Sequence, residues 1–177
     1  MRAIGLAGLL AAGLLTVGPN ARAATINFTE TLTGSQETPP NTSTATGTGT
    51  EMLDTTTDLF TWTVMWSGLS APFTAAHFHM APPGVPGPVQ VDLSAIGTLT
   101  LGGGGTSGSS TGSTTLTSTQ VADVLAGLWY VNVHTSAFPA GEIRGQLTAT
   151  PEPATTALLG AGLALIGLRA ARRRQRA

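Results

Sequence analysis

The chain is 177 residues long, contains no cysteine and carries a formal net charge of −1 at pH 7. Seven of the eight arginines fall in the terminal segments, so residues 24–150 hold Arg144 alone against Glu30, Glu37, Glu51, Asp54, Asp58, Asp92, Asp123 and Glu142, a balance of −7 with no lysine. This composition excludes a nucleic-acid binder, which needs Lys or Arg for phosphates, and it excludes disulfides and thiolate metal sites.

In chain order, Arg2 precedes a short apolar run over 3–17, and the small residues Ala21 and Ala23 flank Arg22. A basic start, a short apolar stretch and an A-x-A end predict a secretory signal over 1–23, cleaved after Ala23. The mature domain is then 24–150. Its first strand carries Ile26, Phe28 and Leu32 on one face. In 59–66, Phe60, Trp62, Val64 and Trp66 alternate with Leu59, Thr61, Thr63 and Met65, the period-two pattern of a half-buried strand. Further strands are predicted over 44–53, 74–80, 88–93, 110–116, 128–135 and 142–148, separated by Pro- and Gly-containing turns. One helix is predicted over 118–127, because Thr117 and Gln120 form a capping box and Gly127 marks the stop. The stretch from Gly102 to Gly112 is almost entirely Gly, Ser and Thr and reads as a mobile loop outside the core. Many short strands and one helix predict a mostly β domain, an antiparallel sandwich or barrel.

The tail begins at Pro151-Glu152-Pro153, continues through an apolar stretch over 154–168, and ends in Arg169, Arg172, Arg173, Arg174 and Arg176. At a helical rise of 1.5 Å the apolar stretch spans about 22 Å, short of a ~30 Å hydrocarbon layer. With its basic stop it predicts a transmembrane helix inserted transiently in the inner membrane.

All three histidines lie in two segments. His77 and His79 are two apart and share a strand face, opposite Ala76, Phe78 and Met80. In 128–135 the apolar set is Trp129, Val131 and Val133, which leaves Tyr130, Asn132 and His134 on the other face. If the two strands are neighbours, the imidazoles converge into a three-nitrogen metal site suited to zinc or copper. Asp92 or Glu142 would then supply an oxygen or orient an imidazole, and Arg144 would tie Asp92 or Glu142 to a loop. The alternative reading has the histidines bonding the Pro-rich loop and the turn after Thr135 without a metal. No G-x-S-x-G motif occurs, and no nucleophile arrangement is recognised.

Two family resemblances rest on particular residues. The Pro-Glu-Pro triplet, apolar stretch and Arg cluster, in that order, resemble the PEP-CTERM sorting signal. That resemblance implies a bacterial source, an exosortase-type protease and export machinery as partners, and release to the cell surface or extracellular matrix. Residues 32–40, His77-Phe78-His79 with Gly87-Pro88-Val89, 130–135, and Gly141-Glu142-Ile143-Arg144-Gly145-Gln146 are similar to the CHRD domain, over about 26–149. This implies an immunoglobulin-like sandwich or barrel, with no catalytic activity attached. The leading expectation is a secreted, surface-sorted binding or structural protein that engages an exopolysaccharide, another surface protein or a metal. An extracellular zinc or copper metalloenzyme is the alternative, and a matrix spacer without a site is a third reading.

Overall fold

The computed structural model describes residues 25–150, together with Gly162, Leu163, Leu165, Ile166, Gly167 and Arg172 of the tail. The signal read over 1–23, the Pro-Glu-Pro triplet and most of the apolar stretch over 154–168 lie outside the described residues, whereas the six described tail residues are helical. Among the described residues no helix is long and apolar enough to cross a membrane.

The strands are β1 (Thr25–Thr33), β2 (Thr46–Asp54), β3 (Leu59–Ser67), β4 (Phe73–Met80), β5 (Val89–Asp92), β6 (Thr98–Gly102), β7 (Ser107–Thr115), β8 (Trp129–Thr135), β9 (Ile143–Gln146) and β10 (Thr148–Ala149). They form one antiparallel sheet in the order β5-β4-β8-β9-β1-β2-β3-β7-β6, with β10 also paired to β1. The expectation of a sandwich or barrel is met only in its coarse form, because a single continuous sheet curls over the core in place of two separate ones. The curl has a seam. β9 and β1 share one registered pair, Thr33 with Arg144, whereas β1 and β2 pair along nine residues.

Alternation fixes which face looks inward. Phe28 and Leu32 of β1, Leu53 of β2, Phe60, Trp62, Val64 and Trp66 of β3, Phe78 of β4 and Trp129, Val131 and Val133 of β8 form the buried core. Across the curl, Phe60 packs edge-on to Phe78 at 5.2 Å and to Trp129 at 5.6 Å between ring centroids. Such pairs add about 0.5–1.5 kcal/mol each beyond area burial. The solvent face explains the threonine content: Thr29, Thr50, Thr63, Thr111 and Thr98 stand in register across five strands.

The stretch predicted as a mobile loop is largely strand, and this expectation is corrected. β6 and β7 pair from Thr98–Thr111 to Gly102–Ser107, and β7 pairs with β3 along its length. The reason lies in β3. Gly112 is opposite Trp62 and Gly108 opposite Trp66, and a Cβ at either glycine would run into the partner's indole. Each tryptophan lies over a glycine, and Ser110 between them is fully buried, accepting from Trp62 Nε1 and donating to Leu93 O. Bulky side chains on β3 supply the packing surface that β7 lacks.

The helix α2 (Ser118–Leu125) starts as expected: Thr117 accepts from Gln120 N, and the Gln120 side chain accepts from Thr117 N. A shorter helix, α1 (Leu93–Ile96), has no counterpart among the expected elements. It is capped by Asp92, whose Oδ1 accepts from Ser94 N at 2.8 Å and Ala95 N at 3.0 Å.

Candidate metal centre

β4 and β8 are hydrogen-bonded neighbours with His77 opposite Asn132, His79 opposite Tyr130 and Ala75 opposite His134. Since Ala76, Phe78, Trp129, Val131 and Val133 take the core, His77, His79 and His134 emerge together on the outer face. The Pro-rich loop over 81–88 and the turn over 136–141 reach this face through hydrogen bonds to the imidazoles. His79 is buried, and His77 and His134 are half-buried.

The three rings lie 5.0 to 6.0 Å apart between centroids. One ring nitrogen from each falls within 4.8 Å of the other two. His79 Nδ1 is 2.9 Å from Gly87 O, and His134 Nδ1 is 3.0 Å from Pro139 O. A carbonyl only accepts, so both Nδ1 atoms carry the hydrogen and both Nε2 atoms keep a lone pair. His79 Nε2 is buried with no hydrogen-bond partner. His134 Nε2 lies 3.1 Å from His77 Nδ1, which therefore donates to it. Burial lowers the pKa of all three imidazoles; that of His134 falls to about 4, with the nearby His77 and His79 adding to the effect and the Pro139 bond opposing it. The cluster is neutral at pH 7.

Three imidazole nitrogens, two of them locked by backbone carbonyls into the tautomer that offers Nε2, make a group that could hold a metal ion. At Zn–N distances of about 2.0–2.1 Å, tetrahedral ligands sit roughly 3.3 Å apart. The His77–His134 pair already has that spacing. To use Nδ1, His77 would move its proton to Nε2, while a ring nitrogen of His79 lies within 4.8 Å of the other two.

The other residues singled out from sequence make no hydrogen bond to the three imidazoles, although the Asp92 charge acts on His77 and that of Arg144 on His79. Asp92 is opposite His77 in the β4–β5 register, but its carboxylate caps α1. Glu142 is fully buried and accepts from Ser43 Oγ, Ser70 N and Thr135 Oγ1, each at 2.7 Å. Burial would raise its pKa, yet these bonds outweigh it and hold the carboxyl below its ordinary value. Arg144 does tie a loop, through Val85 O at 2.9 Å and Pro82 O at 3.2 Å, and not through Asp92 or Glu142. Its guanidinium carbon sits 3.4 Å from the centroid of Tyr130, whose ring stacks on His79 at 5.0 Å. Sequence reasoning did not single out Tyr130, Asn132 or Glu37 as site residues. Alternation in β8 placed Tyr130 and Asn132 beside His134, but nothing local signalled that Glu37 would reach Asn132 Nδ2 at 3.4 Å.

Comparison with known proteins identifies two regions. A CHRD domain profile matches residues 28–147, and the PEP-CTERM protein-sorting motif matches residues 149–174. The sorting motif marks an exported, surface-directed protein processed by exosortase-type machinery. No curated protein and no solved structure matches the chain.

Proposed function

The chain belongs to the CHRD domain family, and on that premise we propose that it is a metal-binding surface module holding one zinc or copper ion on His77, His79 and His134. The observation that carries the reading is the unpartnered, buried Nε2 of His79, set in a cluster whose Nδ1 hydrogens are spent on Gly87 O and Pro139 O. A buried ring nitrogen without a partner is costly, and a metal ion would supply one. The role proposed for the site is binding, with a metalloenzyme as the alternative that turnover assays of the metal-loaded protein separate from it.

Delivery follows from the ends of the chain. Cleavage after Ala23 frees the domain from its signal, 154–168 holds it briefly in the inner membrane, and an exosortase-type protease acts at Pro151-Glu152-Pro153. The product reaches the cell surface or matrix, where it meets exopolysaccharide or other surface proteins.

Metal analysis and calorimetry of the purified protein with zinc and with copper test the site. One equivalent should bind and be lost in His79→Ala and His134→Ala. At 100 times Kd the metal should raise unfolding stability by about 2.7 kcal/mol. Absence of binding at micromolar metal would end the metal reading and leave the histidines as loop fasteners. Multiple turnovers of a redox substrate by the copper-loaded protein would shift the assignment to a metalloenzyme.

A further inference from the structure

A second polar site lies on the same outer face, beyond Tyr130. Arg144 and Gln146 of β9 form its floor, Ser35, Gln36, Glu37, Thr38 and Pro40 one wall, and Pro83 and Gly84 the other, around a cavity of about 310 Å³. Arg144 is 3% exposed. It donates to Val85 O, Pro82 O and Gln146 Oε1, none of them a charged group. Three of the five guanidinium N–H groups are thus used, and two have no acceptor among the described residues. Two further groups in this wall lack partners: Thr38 Oγ1, and Oε1 of Glu37, itself 7% exposed.

Burying a charge is expensive, and so are orphaned polar atoms. The opposite charge nearest Arg144, on Glu37, is itself weakened by burial and makes no hydrogen bond to the guanidinium. A ligand that supplies a carboxylate for Arg144 and hydroxyls for its neighbours removes both costs. Burial pushes the Glu37 carboxyl up to about 7, against the opposing Arg144 charge, so below neutrality it can donate a hydrogen bond as well as accept one. Pro40 and Pro83 offer the apolar contact that the C–H face of a sugar ring needs. The cavity volume is at the small end of ligand sites and suits one monosaccharide.

We propose that the cavity over Arg144 binds a hexuronic acid, its carboxylate on the Arg144 guanidinium and its hydroxyls on Thr38, Glu37 and Gln36. The site shares no ligand with the histidine cluster, although both lean on the 81–88 loop, which His79 bonds at Gly87 O.

The test is calorimetric titration of the purified protein at pH 6 with D-glucuronate, and with glucose and acetate as controls. Glucuronate should saturate at one equivalent, with each control at least tenfold weaker. Ser35→Trp projects an indole into the cavity from an exposed position and should abolish binding. Thr38→Val removes a hydroxyl that has no protein partner, so it should keep the parent melting temperature while weakening glucuronate several-fold. Arg144→Lys keeps the charge but loses the planar fork, and should also weaken binding. His77→Ala removes a metal ligand whose hydrogen bond is to His134 and to neither loop, so it should bind glucuronate as the parent does, and loss of the metal site leaves this result untouched. Equal affinity for glucose, undiminished binding in Ser35→Trp, or no saturable glucuronate binding would each overturn the proposal.

Discussion

Glu51→Gln is the substitution whose effect follows most directly from the core. Glu30 and Glu51 sit on the inward face of β1 and β2, 7% and 3% exposed, and all four carboxyl oxygens lack a hydrogen-bond partner outside the pair. Gly49 lies opposite Glu30, and a Cβ there would strike both carboxyls; Glu51 is opposite Trp62, and a Cβ on Gly145 of β9 would strike the Glu30 stem. No cation faces them, because Arg144 is the sole cation of 25–150 and projects to the other side of β9 toward Tyr130. Burial therefore drives both pKa values up, Glu30 to about 7 and Glu51 further because it also feels the Glu30 charge. The folded state holds protons that the unfolded chain, titrating near 4.5, has released. Stability from this pair is complete below about pH 4.5 and is lost as pH rises through the folded values, the reverse of an ordinary paired carboxylate. A displacement from 4.5 to about 7 in one member alone corresponds to about 3 kcal/mol. A glutamine in place of Glu51 cannot ionise, and its amide can donate to Glu30. Urea unfolding should be followed from pH 5 to 8 by the fluorescence of the buried Trp62, Trp66 and Trp129. The stability of Glu51→Gln minus that of the parent should grow by at least about 3 kcal/mol across the range. Taking this difference cancels the histidine cluster, whose lowered pKa values contribute stability that is present above about pH 6.5 and lost as pH falls. A difference that stays flat with pH would refute the protonated pair.

Other expectations follow from named contacts. Gly112→Ala places a methyl against the Trp62 indole and should cost about 1–3 kcal/mol, read as a lowered melting temperature. Thr117→Ala removes the hydroxyl that accepts from Gln120 N in the capping box at α2 and should cost about 1 kcal/mol in the same assay. Glu142→Ala strands the donors Ser43 Oγ, Ser70 N and Thr135 Oγ1 and should destabilise by more than about 3 kcal/mol. Because the folded pKa of Glu142 is lowered, the parent's advantage over Glu142→Gln should be present above about pH 4.5 and shrink as pH falls, measurable in urea at pH 3 to 6.

Much of this architecture was legible because alternation is a local signal. Phe60-x-Trp62-x-Val64-x-Trp66 and Trp129-x-Val131-x-Val133 assign their strand faces without outside help, and the faces of His77, His79 and His134 follow. The same logic applied to Phe28-x-Glu30-x-Leu32 and Glu51-x-Leu53 puts two carboxyls in the core, although a charged residue at an apolar position is easily passed over. The second half of β7 was legible as a strand over 110–116, but its glycine- and serine-rich start and β6's pairing with it were not, because the packing surface belongs to tryptophans far earlier in the chain, Trp62 and Trp66. Similar distance hid the surroundings of Glu142, which meets Ser43 and Ser70 only after the strands have paired. The separation of Glu142 from Arg144 is likewise a product of tertiary structure. Glu142 precedes β9 and serves the buried Thr135, whereas Arg144 lies within β9 and turns outward to Tyr130.

The placement of Arg144 also bears on how long the domain survives outside the cell. Proteases of trypsin specificity cut after lysine or arginine, and residues 25–150 offer one such bond, Arg144–Gly145. That bond lies within β9, with the arginine side chain 3% exposed and fastened under the 82–85 loop. Cleavage there requires β9 to leave the sheet first, so digestion by this class of enzyme tracks the free energy of unfolding and not the accessibility of a surface loop.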